Sequence, residues 1–199
     1  MQSKFSINNG WLKISSDQTK AKASHGQSLI SHQLSPHHDQ REQGEISLLV
    51  IHNISLPPGK FGSHHITDLF LGRLDPSDDP SFADIYQLKV SAHCLIRRNG
   101  EVIQYVPFDK RAWHAGVSCF DGRERCNDFS IGIELEGTDS LAYTDAQYCV
   151  LENISQAIMQ AYPKITKDRI KGHCDIAPER KTDPGESFDW VRYKSALNS

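Results

Sequence analysis

Continuous apolar runs, broken by turn residues, mark the strands of this chain. The first run, residues 46–52, is apolar on both faces and predicts an inner strand that is buried from both sides. Residues 92–97 and 101–106 form two further runs around a turn that contains Asn99-Gly100. Asn-Gly between apolar runs predicts a β-hairpin, because both residues tolerate positive φ angles.

Residues 130–136 predict a strand whose two faces differ. One face is apolar and the other carries a glycine and two glutamates: Ile131, Ile133 and Leu135 against Gly132, Glu134 and Glu136. An unpaired carboxylate on an otherwise apolar strand is costly. Either both glutamates face solvent at a sheet edge, or one of them lines a site.

Helical patterns complete the fold prediction. A capping box from Thr144 to Gln147 predicts a long helix that reaches about Tyr162. Its apolar stripe is Val150, Leu151, Ile154, Ala157, Ile158 and Ala161. A short helix is predicted over residues 65–70, and a closing helix from Ser187 should dock through Phe188, Val191 and Leu197. Strands mixed with helices and one clear hairpin predict an α/β fold around a mixed sheet.

Length and composition indicate a single domain. At 199 residues, with 38% hydrophobic and 24% charged residues, the chain has the values of one globular unit. Much of residues 1–45 is rich in Ser, Gln, His and charge, so we expect a polar, partly irregular lead-in there. Residues 46–199 are expected to form the folded domain.

Charge, hydropathy and cysteine usage exclude several classes of function. A formal net charge of -3 without a long basic run argues against general nucleic-acid binding. The apolar runs are too short to span a bilayer, and the amino terminus lacks the apolar core of a signal peptide. The 5 cysteines contain no Cys-x-x-Cys pair, which fits a reducing compartment. We therefore expect a cytoplasmic protein that binds neither nucleic acid nor membrane.

The densest group of chemically active side chains lies in residues 172–185. This loop combines an imidazole, carboxylates and cations with Pro and Gly, which suits a metal or catalytic site better than a core element. His173 and Asp183 are too far apart in sequence for one helix face but within reach of each other in a folded loop. Asp175 and Glu179 are interpreted as surface charges.

His52 differs from most of the 10 histidines because of its place in the pattern. It comes where the inner strand should emerge at its carboxyl end, the edge at which α/β sheets collect ligands. A core histidine bonded to a neighbouring carbonyl is the alternative. His93, at the start of a hairpin strand, is interpreted as structural. His114, beside Trp113 in a glycine-containing turn, is a weak candidate for the wall of a ligand groove.

These residues together indicate a metal site. Imidazole nitrogen and carboxylate oxygen are good zinc ligands, so His52, His173 and Asp183 form a candidate set. Three protein ligands plus an open position would make such a site hydrolytic rather than structural. Lys181, close to Asp183 in sequence, is either a solvated cation or a charge placed over the site.

Five ordered motifs carry a resemblance to a known family. They are residues 50–59 (VIHNISLPPG), 91–96 (SAHCLI), 113–116 (WHAG), 131–137 (IGIELEG) and 172–185 (GHCDIAPERKTDPG). Together they resemble the type 2 N-acetylmuramoyl-L-alanine amidase family over residues 10–189. The resemblance implies a zinc hydrolase of a single domain, in which a central mixed β-sheet is flanked by α-helices.

The resemblance also implies roles for individual residues. The three candidate ligands take the zinc positions, with Asp183 at the place where several relatives have Cys. Some relatives have a catalytic Tyr before the histidine of the second motif, where this chain has Ala92. Glu134 is therefore expected to be the general base, with Lys181 as the electrostatic partner of the oxyanion. The positions that line the substrate groove in the family are Asn53, Trp113, Arg125, Ala177 and Arg180.

The implied reaction is hydrolysis of the amide bond between the lactyl group of (1,6-anhydro)-N-acetylmuramic acid and L-alanine of the stem peptide. An anhydromuramyl peptide is the expected substrate, and no obligate protein partner is expected. The resemblance further implies a role in cytoplasmic peptidoglycan recycling, which limits β-lactamase induction. Two alternatives stay open: the same chemistry on intact peptidoglycan, and a non-catalytic muropeptide-binding module.

Overall fold

The computed structural model describes residues 4–14, 30–42 and 45–197. Its strands, in chain order, are β1 (Phe5–Asn8), β2 (Trp11–Ile14), β3 (Ile30–His32), β4 (His38–Asp39), β5 (Leu48–Ile54), β6 (Cys94–Ile96), β7 (Val102–Gln104), β8 (Arg111–Ala112), β9 (Cys119–Phe120), β10 (Arg123–Glu124), β11 (Ser130–Glu136) and β12 (Ile170–Gly172). Its α-helices are α1 (His65–Phe70), α2 (Asp145–Ala161), α3 (His173–Ile176) and α4 (Trp190–Ala196). Short 3₁₀ turns occupy Pro80–Phe82, Cys126–Asp128 and Lys167–Arg169.

Six strands form the central sheet in the order β12-β5-β11-β6-β7-β3. The four strands from β12 to β6 run parallel, while β7 is antiparallel to β6 and parallel to β3. Parallel neighbours need long crossover connections, whereas an antiparallel pair such as β6 and β7 needs only a turn. The predicted α/β fold, a mixed sheet with flanking α-helices, is therefore confirmed.

β5 lies between β12 and β11 and is buried on both faces, as its apolar run predicts. Leu49 and Ile51 pack into the apolar cluster that contains α2. Leu48 and Val50 pack on the opposite side of the sheet. Because alternate residues of a strand share a face, His52 continues the side of Leu48 and Val50. A polar side chain thus emerges at the end of an apolar strand.

β11 confirms the predicted alternation. Its apolar face joins the cluster that contains α2 through Ile131, Ile133 and Leu135. The opposite face therefore carries Gly132, Glu134 and Glu136. β11 is in parallel register with β5, with Glu134 opposite His52. The glutamate face of β11 and the histidine face of β5 thus form one surface.

β6 and β7 form the predicted hairpin, in which Ile96 is opposite Val102. Gly100 has a φ of 85° in the left-handed region, but Asn99 does not use that region. The Asn99 Oδ1 atom instead accepts a hydrogen bond from the Glu101 backbone N–H at 2.9 Å. The hairpin is confirmed, and Asn99 closes it through its side chain rather than through a positive φ.

α2 begins after the predicted capping box, in which Thr144 and Gln147 each bond the other's backbone N–H through their side chains. Four positions of the predicted apolar stripe are buried, namely Leu151, Ile154, Ala157 and Ile158. Val150 is half-buried and Ala161, at the helix end, is exposed. Within the described ranges, no helix combines the length and apolarity needed to cross a membrane.

α4 starts later than predicted. Phe188 and Leu197 are buried, as expected for a docked helix. Val191 is 82% exposed, so its predicted docking is wrong. Tyr193 and Leu197, four positions apart, form the buried stripe instead. Val191 is two positions from Tyr193, about 200° around the helix, and therefore faces solvent.

The described part of the predicted lead-in contributes to the same core. β1 and β2 form an antiparallel hairpin that places Phe5 and Leu12 among the buried apolar residues. β3 adds an outer strand to the central sheet through its pairing with β7. Residues 1–3, 15–29 and 43–44 of the lead-in lie outside the described ranges. The division between lead-in and domain after residue 45 stays a prediction.

Candidate active site

The carboxyl ends of three parallel strands bring the candidate ligands to one edge of the sheet. His52 lies near the end of β5, and Glu134 is opposite it on β11. β12 ends at Gly172, which is opposite Ile51, so His173 follows beside His52. Ligand sites of α/β sheets form at this edge because parallel strands end there together. Two histidines separated by 121 positions thereby become neighbours.

The loop after α3 returns Asp183 to the side of His173. The backbone N–H of Cys174 donates to the carbonyl oxygen of Asp183 at 3.0 Å. Gly172 permits this approach, because a Cβ atom there would lie 2.8 Å from Pro184 Cδ. The turn residues of the loop thus bring the carboxylate back to the imidazole.

His52, His173 and Asp183 form a compact group of donor atoms. His52 Nδ1, His173 Nδ1 and Asp183 Oδ2 each lie 3.0 Å from the other two. Three ligands at tetrahedral angles around one zinc ion are about 3.3 Å apart. Both histidines are buried, and the Asp183 side chain is 14% exposed. This group, called the donor triad below, can hold one metal ion.

The surroundings keep two of these groups in the protonation state that binds metal. Burial lowers the pKa of His52 to about 4, so its imidazole is neutral at pH 7. Burial alone would raise the pKa of Asp183, but hydrogen bonds with His173 and His52 hold it well below its usual range. Metal ligands must be deprotonated. Metal binding therefore requires no proton to leave either group at neutral pH.

Contacts behind the imidazoles set their orientation. His173 Nε2 lies 3.2 Å from the carbonyl oxygen of Ala115, which can only accept a hydrogen bond. In the neutral ring this leaves the lone pair on Nδ1, facing the donor triad. His52 Nε2 lies 2.9 Å from Nδ1 of His114, and His114 Nε2 lies 3.1 Å from Ser130 Oγ. Each imidazole of the triad thus has a polar partner behind it.

The two glutamates of β11 have different surroundings. Glu136 Oε1 accepts hydrogen bonds from the Gly62 backbone N–H at 2.7 Å and from Arg97 Nη1 at 3.1 Å. Glu134 Oε2 is buried and has no hydrogen-bond partner within the described parts of the chain. Burial, together with the negative charge of Asp183, raises the pKa of Glu134 well above its usual value. Glu136 is therefore a structural ion pair, whereas Glu134 lines the site.

A cavity of about 260 Å³ lies over these groups. Its polar lining includes the donor triad, Asn53, Glu134 and Lys181. Its apolar lining consists of Ile54, Leu69, Phe70, Leu88, Val90 and Trp113. Lys181 is exposed, and no ion pair engages its ammonium group in the described ranges. The cavity thus combines metal donors, a free carboxyl group and a cation with one apolar wall.

Two grooves flank the central cavity and share lining residues with it or with each other. One, of about 550 Å³, is lined by Arg125, Ala177 and Arg180. The other, of about 430 Å³, is lined by Asn53 and Arg180 together with part of the triad. Trp113 and Asn53 line the central cavity itself. Asn53 and Trp113 thus line the cavity of the donor triad, Arg180 lines a groove that Asp183 also lines, and Arg125 and Ala177 line the groove beyond Arg180.

The polar groups of these five residues differ in whether they already form hydrogen bonds or ion pairs within the protein. Arg180 Nη2 donates to the carbonyl oxygen of Ala115 at 2.8 Å, so part of its guanidinium holds the loop. The Arg125 side chain is 65% exposed and pairs with Asp128 at 3.2 Å. The indole N–H of Trp113 is buried and has no partner among the described residues. The donor of Trp113 is therefore unsatisfied among the described residues.

Several features of the site had no usable signal in the sequence. Asp139 accepts hydrogen bonds from Asn53 Nδ2 at 2.8 Å and from the Thr182 hydroxyl group. It thereby ties the loop that carries the triad carboxylate to the end of β11. His114, predicted only as a groove wall, contacts His52 directly. The apolar wall of the cavity comes partly from α1, whose sequence carries no catalytic motif.

Three histidines outside the site, His64, His65 and His93, have structural explanations. His93 is buried, and its Nδ1 accepts a backbone N–H of β11 at 3.0 Å, so its structural interpretation is confirmed. His64, His65 and Asp78 form a second group with ligand atoms within 4.8 Å of one another. Each imidazole has its own carboxylate at 3.3 Å, Asp68 for His64 and Asp78 for His65. Two ordinary ion pairs near the surface account for this arrangement.

Comparison with known proteins agrees with this geometry. The chain matches the family model described as N-acetylmuramoyl-L-alanine amidase over residues 42–186. It is 65% identical to 1,6-anhydro-N-acetylmuramyl-L-alanine amidase AmpD of Escherichia coli over 161 residues. This alignment covers 80% of this chain and 87% of that protein. It is 62% identical over 164 residues to AmpD of Haemophilus influenzae, with 82% and 89% covered.

Solved structures show the same relationship. A selenomethionine derivative of AmpD, a crystal structure, matches with a TM-score of 0.86 and 55% identity over 96% of this chain and 99% of that one. AmiD of Escherichia coli, in complex with the substrate anhydro-N-acetylmuramic acid-L-Ala-D-γ-Glu-L-Lys, matches with a TM-score of 0.57 and 27% identity, over 98% and 67%. The chain belongs to the type 2 N-acetylmuramoyl-L-alanine amidase family.

Proposed function

We propose that this chain is a zinc-dependent amidase that acts on 1,6-anhydro-N-acetylmuramyl peptides. It hydrolyses the amide bond between the lactyl group of the sugar and L-alanine of the stem peptide. The observation that carries the proposal is the donor triad, with its atoms 3.0 Å apart, beside the unpaired carboxyl group of Glu134. The 65% identity to AmpD, which is named for this activity, supports the choice of substrate.

The chemistry of the triad favours zinc. Two imidazole nitrogens and one carboxylate oxygen are ligand types that zinc accepts, whereas magnesium and calcium prefer oxygen ligands alone. His52, His173 and Asp183 would hold the ion and leave a coordination position open. When bound there, zinc supplies Lewis-acid polarisation of the scissile carbonyl and lowers the pKa of water.

Glu134 is the proposed general base. Its carboxylate takes a proton from the attacking water and returns it to the departing amino group of L-alanine. Its place in the same cavity as the triad supports this role, as does the absence of another partner for Oε2 in the described ranges. The raised pKa favours the return step, because the protonated form is the one that donates.

Lys181 is the proposed electrostatic partner of the reacting carbonyl oxygen. Negative charge develops on this oxygen in the tetrahedral transition state, and a nearby ammonium group stabilises it more there than in the ground state. Lys181 lines the same cavity as the triad and Glu134. Its exposed position leaves the ammonium group available to the substrate.

The grooves fit the two halves of the proposed substrate. The stem peptide carries carboxylates, which suit the cations of Arg125 and Arg180 in the groove that Ala177 also lines. The anhydromuramyl group has an apolar ring face, which suits Trp113 in the central cavity. Asn53 lines both the central cavity and the groove of about 430 Å³, from which its side-chain amide can reach the substrate.

The proposal includes a cellular location and a cellular role. We place the enzyme in the cytoplasm, where it removes stem peptides from recycled wall fragments and so limits the muropeptides that induce β-lactamase. The likeness to AmpD supports this assignment. The lack of Cys-x-x-Cys pairs among the 5 cysteines fits a reducing compartment.

One assay separates this function from its alternatives. Purified protein is incubated with anhydromuramyl tripeptide and, in parallel, with intact sacculi, and the products are identified by mass spectrometry. We expect free tripeptide from the first substrate at a much higher rate than peptide release from the second. Faster release from sacculi would replace the recycling role with wall hydrolysis. Binding of the tripeptide without cleavage by zinc-loaded protein would leave only a recognition module.

A further inference from the structure

The imidazole ring of His114 packs against Gly132 of β11. It fills the space that a side chain at position 132 would occupy. Gly132 precedes Glu134 on the face of β11 that carries the site. A Cβ atom at Gly132 would lie 2.5 Å from both Cγ and Nδ1 of His114. Carbon atoms do not approach an imidazole this closely, so glycine at this position is what lets the ring lie against the strand.

His114 makes three polar contacts, two of them through its ring. Its backbone N–H donates to Asn127 Oδ1 at 3.0 Å, which holds the main chain. Its Nε2 lies 3.1 Å from Ser130 Oγ, and its Nδ1 lies 2.9 Å from His52 Nε2. The imidazole therefore bridges β11 to the triad histidine of β5.

We propose that His114 is a positioning residue for His52, and that Gly132 provides the space it needs. The inference rests on the proposed zinc centre. A neutral imidazole has one N–H and one lone pair. When the His52 lone pair is on Nδ1, its Nε2–H donates to Nδ1 of His114. The His114 Nε2–H then donates to Ser130 Oγ.

This chain of hydrogen bonds selects between the two neutral tautomers of His52. In the other neutral form the proton is on Nδ1, which lies 3.0 Å from Asp183 Oδ2 and can donate to it. That form cannot bind a metal through Nδ1. An acceptor behind Nε2 favours the binding form and prevents the ring from turning. His173 has a separate partner in the Ala115 carbonyl group, so the effect of His114 is specific to His52.

Zinc affinity of metal-free protein tests this role without an activity assay. We expect His114→Ala to weaken zinc binding by about 10- to 100-fold, measured by competition with a chromophoric chelator. His114→Asn should recover most of the affinity, because its amide oxygen can accept near the position of Nδ1. Gly132→Ala should weaken zinc binding although it keeps every imidazole, because the added Cβ displaces His114.

A double variant distinguishes positioning from general damage. Gly132→Ala should cost little further affinity in the His114→Ala background, because the ring that the Cβ atom would strike is gone. Ile158→Ala is the control, since it removes buried apolar surface from α2 on the other side of the sheet. It should lower the free energy of unfolding in urea and leave the zinc affinity unchanged.

The outcomes separate this inference from the proposed function. Wild-type protein that binds no zinc would overturn both. Tight zinc binding by wild type and equally tight binding by His114→Ala would overturn the positioning role and leave the zinc centre intact. Fully additive losses in the double variant would overturn the role of Gly132.

Discussion

Glu134 and His52 occupy paired positions on neighbouring parallel strands, and their side chains leave the sheet on the same face. A second carboxyl group on that face, Glu136, is neutralised by Arg97 at 3.1 Å. Glu134 is left buried without a hydrogen-bond partner for Oε2 among the described residues. A buried polar group without a partner lowers stability. The paired positions therefore combine a candidate metal donor with a carboxyl group that has no structural partner among the described residues.

Replacing Glu134 tests its role as general base. Glu134→Gln keeps the size of the side chain and removes its ability to accept a proton. We expect turnover of anhydromuramyl tripeptide to fall by about 10²- to 10⁴-fold. Bound zinc and melting temperature should stay at or above wild-type values, because the fold gains nothing from the charge. Near-normal turnover would assign the base elsewhere.

Glu136→Gln is the matched control on the same strand. Glu136 is 1% exposed and accepts hydrogen bonds from Gly62, Arg97 and Arg98. Loss of the charge should lower the free energy of unfolding by about 1.5–3 kcal/mol, the range for hydrogen bonds to charged groups. Turnover per folded molecule should remain close to wild type. Equal effects of the two substitutions on turnover would contradict the distinction drawn between the two glutamates.

Lys181 should affect the rate but not the fold. Lys181→Met removes the ammonium group that we propose faces the reacting oxygen and keeps most of the aliphatic chain. We expect kcat/KM to fall by about 10²- to 10³-fold, with zinc content and melting temperature unchanged because the side chain is exposed. Lys164→Met is the control, since Lys164 pairs with Glu45 at the surface at 2.9 Å. If both variants kept the wild-type kcat/KM, the oxyanion role would be withdrawn.

Metal content tests the donor triad. After dialysis against zinc and removal of the excess, wild-type protein should hold close to one zinc per chain, and a chelator should abolish hydrolysis. Asp183→Asn should lose most of the bound zinc, because it removes the only anionic donor of the triad. Asp175→Asn is the matched control in the same loop. The Asp175 side chain accepts the Gly172 backbone N–H at 2.8 Å and belongs to no candidate ligand group among the described residues. Full activity of metal-free wild type would refute zinc catalysis.

The stability of the metal-free protein should fall as the pH is lowered. Burial, with the nearby charge of Arg41, lowers the pKa of His93 from 6.5 to about 3. Between these values the unfolded chain binds more protons than the folded one, so stability rises with pH. This contribution is fully present above about pH 6.5 and is lost towards pH 3. Glu134, whose pKa is raised, acts in the opposite direction over this range. The comparison between variants isolates His93: urea unfolding at pH 7, 6 and 5 should show a smaller loss of stability towards pH 5 in His93→Gln than in wild type. If the stability of His93→Gln depended on pH as steeply as that of wild type, His93 would be excluded as a source of the pH dependence.

Much of the fold could be predicted because the responsible signals are local. The apolar run of β5, the capping box of α2 and the Asn-Gly turn between β6 and β7 each act within a few residues. The errors arose where tertiary contacts decide. Val191 fitted an apolar stripe, but the later start of α4 turned it to solvent.

The candidate site likewise could be predicted only in part from the sequence. The family resemblance singled out Glu134 and Lys181, whereas the sequence pattern by itself indicated only the donor triad, since histidines and carboxylates at the ends of apolar runs are unusual. The pattern could not choose between Glu134 and Glu136, which have the same alternation on β11. Arg97 and Gly62, distant in sequence from Glu136, make that choice by occupying its oxygens.

The sequence by itself determined four inner strands (β5, β6, β7 and β11), the alternating faces of β11 and the residue types able to hold a metal ion, because these depend on composition and periodicity along the chain. Only the tertiary structure decided which carboxyl group is left without a partner and what lies behind each imidazole. Those properties depend on which distant segments meet. The clearest case is His114. Its ring packs where Gly132 has no side chain, and there it contacts His52.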